Sequence, residues 1–326
     1  MSVSATAELL ATAPGRKSRG LAQAILQRIG IAVVVVWGAI TASFLALQFM
    51  GGDTVQSIAG GMVQVTPELR EQIIAKYGLD QPVILQYLNY LGSILRGDFG
   101  TSYSLRRPVI DAIMEQLPNT MTLLLSATTF GVVSAFVISL LTAHRGRRVR
   151  GIFQGLESIG VAVPAFWLGI MLITVFSFGL RLFPSTGANG PLALVLPSIA
   201  LGLPVAATLS QVMRDTLEKT LDEPFIVTVR ARGAGEFTVR VRHALRHSLI
   251  SVITLVGWLS GTLIGGAVIV EQVFSRPGIG RMIFTAVLNR DMPIVLGIVI
   301  VAAVFYVVVN TIIDLLYPII DPRLRS

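Results

Sequence analysis

Six stretches of this chain are apolar and almost free of charge: 29–50, 116–143, 158–180, 192–213, 248–270 and 292–316. Each reaches the roughly 20 residues that an α-helix needs to cross a hydrocarbon layer. The fourth run starts earlier, but Pro184, Gly187, Asn189, Gly190 and Pro191 read as a loop, so its helix begins near Leu192. Pro197 and Pro204 should kink it. A soluble fold would have almost no amphipathic helices to cover six such segments. The pattern predicts an all-α, polytopic membrane protein with six transmembrane helices. The first run is longer than the apolar core of a signal peptide, about 7–15 residues. It reads as a retained span behind a basic tail (1–28) whose first 20 residues are polar and expected to be unstructured.

Between the first two spans, 51–115 is too long for a bare connection. Thr66 and Pro67 form a helix-start signal, with Thr66 as N-cap and a helix to Tyr77 closed by Gly78. Residues 81–95 predict a second, amphipathic helix with Ile84, Leu88, Leu91 and Leu95 on one face. Gly97-Asp98-Phe99-Gly100 reads as a turn.

Charge orients the helices. Seventeen of the 26 Lys/Arg lie on the side of the N-terminus, in 1–28, 144–157, 214–247 and 317–326. Nine lie on the other side, five of them in the long 51–115 segment. The positive-inside rule then places both termini in the cytoplasm, with 51–115 and 271–291 external. The net charge of +8 is thereby a topology signal, and no nucleic-acid partner is expected.

Composition narrows the chemistry. Cysteine is absent, which excludes disulfides and thiolate chemistry. Gly15-Arg16-Lys17-Ser18 fails as a phosphate-binding loop because Arg16 stands where glycine must precede the lysine. The three histidines, His144, His243 and His247, fall in cytoplasmic loops, and no metal-binding or hydrolytic constellation is visible. No catalytic residue, metal or cofactor is expected in this chain. Glu157, Glu271 and Asp314 fall at span edges, away from the mid-depth positions usual in ion-coupled carriers. Such a carrier is the alternative from another class. Energy for pumping is expected from a separate chain.

The loop 214–247 reads as helix, glycine turn, helix. Asp222, Glu223 and Pro224 open the first helix, and Phe225, Ile226 and Val229 make it apolar. Gly233 and Gly235 break it, and Phe237, Val241 and Leu245 recur at i, i+4 in the second. Apolar side chains on the cytoplasmic side suggest either packing on the span ends or a docked partner.

The run Phe225-Ile-Val-Thr-Val-Arg-Ala-Arg-Gly233, followed by Arg242-His-Ala-Leu-Arg-His247, resembles the EAA loop of bacterial ABC importer permeases. It is most similar to that of the dipeptide/oligopeptide/nickel family, first-permease type. Tyr77-Gly-Leu-Asp-Gln-Pro82, Gly97-Asp-Phe-Gly100 with Ser102, Pro277-Gly-Ile-Gly-Arg281, Asn289-Arg-Asp291 and Asp314-Leu-Leu-Tyr317 to Asp321-Pro-Arg323 resemble other segments of that family. Val227-Thr-Val229 stands where the general motif has Glu-Ala-Ala, and Ser251 where the family often has proline.

The resemblance implies a type I importer architecture. It also implies a homologous second permease, two ATPase subunits that hold the ATP and magnesium, and an external solute-binding protein. Pro224, Phe225, Ile226, Thr228, Val229, Arg230, Ala231, Arg232 and Gly233 would then form the coupling helix that contacts the ATPase. The solute is expected to be a di- or oligopeptide, with nickel, glutathione or haem as alternatives. In the fifth span Gly257, Gly261 and Gly265 recur every four residues, a stripe that lets another helix approach closely. The resemblance favours the partner permease and the solute path as its neighbours. Arg276, Arg281, Arg290 and Asp291 are candidate contacts for the binding protein.

Overall fold

The computed structural model describes residues 21–49, 53–60 and 64–320. The expectation for residues 1–20 and the last motif piece from Asp321 lie outside them.

Helix α1 (Leu21–Phe49) is followed by an external region of three short helices, α2 (Thr54–Ala59), α3 (Pro67–Tyr77) and α4 (Val83–Leu95). A two-residue-strand hairpin, β1 (Thr101–Ser102) and β2 (Arg107–Pro108), leads into α5 (Val109–Thr142). Then come α6 (Arg147–Ala162), α7 (Ala165–Leu172, extended by a π-helical stretch Ile173–Gly179) and α8 (Leu192–Leu221). The loop that follows holds α9 (Pro224–Ala231) and a short α10 (Glu236–Thr238). A π-helical segment, Val239–Ala244, joins α10 to α11 (Leu245–Val273), and α12 (Ile279–Leu288) and α13 (Met292–Ile320) complete the chain. Among the described residues, five continuous helices have the length and apolarity to cross a membrane.

The span expected over 158–180 is not one continuous helix. It is a bent pair, α6 and α7, turned by 103°. Proline supplies the reason. Pro164 has no N–H to give, and it holds Val163 in an extended conformation (φ −75°, ψ 123°) that ends α6. By contrast α5 runs through Pro118, and α8 through Pro197 and Pro204, without a break.

Helices α5, α8 and α11 form the main core, around Leu123, Ala127, Leu201, Val205, Leu209, Leu263 and Ala267. Glycine sets the spacing of α5 and α8: a Cβ on Gly202 would lie 2.5 Å from the Ala127 carbonyl oxygen. In lipid, where apolar surface alone gives no drive to associate, such close backbone approach is what holds helices together. Helix α1 packs on α13 at the edge, with Ile40 against Ile300 and Arg28 paired to Asp314 at 3.4 Å.

The external helix starts as expected. The Thr66 hydroxyl accepts from the Leu69 N–H, and Gly78 ends α3 in the left-handed conformation (φ 62°). On α4 the predicted face holds only in part. Ile84, Leu88 and Leu95 point outward, whereas Gln86 and Ile94 are buried.

Candidate functional site: the cytoplasmic-loop helix and its supports

Helix α9 leaves α8 after two residues, and Pro224 at its first turn costs no hydrogen bond. Ile226 is fully buried against Leu217, Leu221, Val239 and Ala244. Its neighbours face away: Phe225 is 40% exposed and Val227 66%. Thr228, Arg230, Ala231 and Arg232 are exposed, and Val229 is half-buried. The helix is thus anchored by Ile226, with Val229 packed beside it, and presents the other side chains. The Phe225 ring rests on His247, 5.8 Å between centroids.

Gly233 turns the chain at φ 84°, in open space. Arg230 Nε donates to Glu236 across this turn at 2.8 Å, and that bond holds the Glu236 carboxyl below the ordinary carboxylate range.

The second limb differs from the expected i, i+4 stripe. Phe237 is 77% exposed, and Val241 and Leu245 are only half-buried. Val239 and Ala244 are the buried positions. The π-helical turn explains the change, because its i→i+5 bonding aligns residues five apart.

Three of the residues expected to face partners are enclosed by this chain. Gly257 of the α11 stripe is buried, with Ile313 and Asn310 of α13 where a Cβ would go. Gly261 and Gly265 are exposed. Arg276 (4% exposed) and Asp291 (2%) are interior, so they are not rim charges. Arg276 donates to Thr122, and Asp291 accepts from Ser102 at 2.5 Å and from Ser104. A charge in this position lowers its free energy by finding partners within the chain. Arg281 and Arg290 remain exposed.

The profile described as "Binding-protein-dependent transport system inner membrane component" matches residues 127–326, and that of the N-terminal component of such systems matches 21–124. The chain belongs to this family of transport permeases. The permease is 35% identical to a Brucella abortus permease protein named for a peptide transport system, over 92% of this chain and 98% of that one. It is 34% identical to the oligopeptide transport system permease protein AppB of Bacillus subtilis, over 94% and 100% of the two chains. Identity to the glutathione transport system permease protein GsiC of Salmonella typhimurium is 34%, over 86% and 92%. Among solved structures, an inward-facing form of the MetNI methionine ABC transporter shares the fold. Its TM-score is 0.54 at 16% identity, over 64% of the permease and 95% of that chain. The permease is therefore a multi-pass inner-membrane subunit of an ABC transporter, a class driven by ATPase partners.

Two buried acids of the permease escaped the sequence reading, which placed them at span edges. Glu271 accepts from the Thr120 hydroxyl (2.6 Å) and from the Arg281 N–H (3.0 Å) beside the first turn of α12. Gly278 and Gly280 of the Pro277–Arg281 motif make room for it. A Cβ on Gly278 would overlap the carboxylate, and one on Gly280 would lie 2.5 Å from the Val268 Cα. The second acid is Glu157, paired with Arg214 inside α6 and α8. The available signal was the rarity of charge next to apolar runs, which marks it as kept for a purpose.

Proposed function

We propose that the permease forms half of the channel of an importer for di- or oligopeptides. Its partners are a homologous permease, two ATPase subunits and an external solute-binding protein, and ATP and magnesium are held in the ATPases. The observation that carries the ATPase contact is the split of α9. Ile226 fastens the helix to the span ends, while Phe225 and Val227 present apolar surface next to it. Apolar side chains held outward on an anchored helix suit a protein cleft. Val229 in place of alanine falls on the half-buried side and leaves the presented face unchanged.

Orientation follows from the Lys/Arg split, with both termini and α9 cytoplasmic. Gly261 and Gly265 are the exposed part of the α11 stripe, available to the second permease or the solute path. Of the four candidate docking residues, Arg281 and Arg290 are the two that stay exposed and available to the binding protein. The names of the Brucella and Bacillus relatives support peptides as solute. Glutathione, itself a tripeptide, is the second reading, supported by the Salmonella relative's name.

The test is uptake of labelled di- and oligopeptides, with glutathione as competitor, by vesicles carrying the whole assembly. Alongside it, a cysteine at Thr228 is crosslinked to the ATPase. ATP-dependent peptide uptake and a specific crosslink are expected. Uptake that collapses with a protonophore and ignores vanadate overturns the importer reading.

A further inference from the structure

The Arg214 guanidinium grips the Glu157 carboxylate with two bonds, 2.7 and 2.6 Å, and both side chains are fully buried. Ser210 donates a third, 2.9 Å. The pair joins α6 to α8 and touches no surface offered to a partner. Packing alone does not require it, since apolar residues of similar volume often serve as well or better in place of a buried ion pair. What two parallel N–H···O bonds add is direction. They set both the register and the roll of one helix on another, which apolar contacts leave free to slide.

Neighbouring contacts show what is held. Arg150 reaches Glu218 at 2.9 Å, Glu157 reaches Arg214, and a Cβ on Gly160 would meet that of Ala207 at 3.0 Å. Helix α6 therefore lies antiparallel along the half of α8 that leads into α9. Three residues past Ala207, toward the other end of α8, is Pro204, where the helix lacks a backbone hydrogen bond. On the other helix, Pro164 breaks the path two residues after Ala162. Beyond the break α7 still lies on α8 but gains a second neighbour: Gly169 sits against Val273 and Phe274 at the far end of α11.

We propose that Glu157 and Arg214 are positioning residues that make α6 move as one body with the α8–α9 segment. A displacement of α9 then carries α6 against α7 about the Val163–Pro164 break. Without the pair, ATP hydrolysis continues but moves less solute. This inference rests on α9 being the ATPase contact.

The test uses the whole assembly in proteoliposomes and reads peptide uptake per ATP hydrolysed. Glu157→Leu combined with Arg214→Met keeps a filled, apolar contact. It should leave abundance and ATPase retention at wild-type level while the ratio falls about fivefold or more, the usual scale of a coupling between sites. The reversed pair, Glu157→Arg with Arg214→Glu, should recover most of the ratio. The chain has no cysteine. Gly160→Cys with Ala207→Cys, added to the apolar double variant, therefore gives a clean covalent tie after about half an ångström of relaxation. Oxidation should raise the ratio, and reduction should lower it again.

A wild-type ratio in the apolar double variant overturns the proposal. So does a disulfide that forms fully without raising the ratio, or a loss of abundance with the ratio unchanged. Failure of the Thr228 crosslink in the wild-type assembly has a separate meaning: it brings down the ATPase-contact reading, and this inference with it.

Discussion

The Ser102 hydroxyl donates a 2.5 Å hydrogen bond to the Asp291 carboxylate, joining the β-hairpin of the external region to the start of α13, 189 positions away in the chain. Ser104 bonds the same oxygen, and Asp291 is buried. Two motif segments that look unrelated along the chain are thus two halves of one clasp. Asp291→Ala should leave both hydroxyls without their acceptor and destabilise the permease by about 1–3 kcal/mol. Ser104→Ala, which spares the Ser102 bond, should cost less. Thermal unfolding of the detergent-purified assembly, followed by limited proteolysis of the external region, checks both. Equal melting temperatures for Asp291→Ala and the wild type would refute the clasp.

Glu271 predicts the behaviour of the glycines beside it. Gly280→Ala places a methyl against the Val268 backbone, which has no flexible end to move aside. Overpacking of this kind costs about 1–3 kcal/mol, so less permease should accumulate in the membrane. Gly265→Ala meets open space. It should accumulate normally, as read by quantitative immunoblot of washed membranes.

Adjacent residues of α9 should fail in opposite ways. Ile226→Ala removes a buried side chain and should cost about 2–5 kcal/mol of fold stability, seen as reduced abundance. Phe225→Ala should leave abundance near normal but weaken ATPase retention by about 2 kcal/mol, the scale of an interface hot spot. Gly233→Val forces a β-branched residue into φ 84° and should also impair retention. Co-purification of ATPase per molecule of permease separates these cases. Full retention in both Phe225→Ala and Gly233→Val would remove α9 as the contact.

Burial pushes the Tyr77 phenol up to about 12. Tyr90 is raised by burial as well. A phenol whose folded pKa lies above its unfolded value near 10 favours the folded state while neutral. That stability is fully present below about pH 10 and is lost as pH rises through about 12. Phenolate absorbance should therefore lag behind free tyrosine and appear together with loss of external-region structure. Titration of all tyrosines near pH 10 with the fold intact would contradict this.

Five of the expected spans are continuous helices because twenty apolar residues in a row have one stable solution in lipid, a helix that bonds its own backbone. The Thr66 cap, the Gly78 stop and the turn at Gly233 were equally legible, since each depends on a few adjacent residues. The break at Pro164 carried a local signal too, but whether proline breaks a helix depends on its neighbours: Pro118, Pro197 and Pro204 lie inside continuous helices.

The amino-acid sequence by itself therefore determined the class of protein, the number of apolar segments, the charge asymmetry and the local helix ends. Tertiary structure alone decided which charged residues face outward. Arg276 and Asp291 read as surface charges from their loops, and Glu157 and Glu271 as span edges. All four are buried, because the partners that make burial tolerable come from remote segments: Thr122 for Arg276, Ser102 for Asp291, Arg214 for Glu157 and Thr120 for Glu271. Hydrophobic patterning is summed over neighbours along the chain. The cost of burying a charge is set by what lies within about 3 Å of it in space, and no local window contains that.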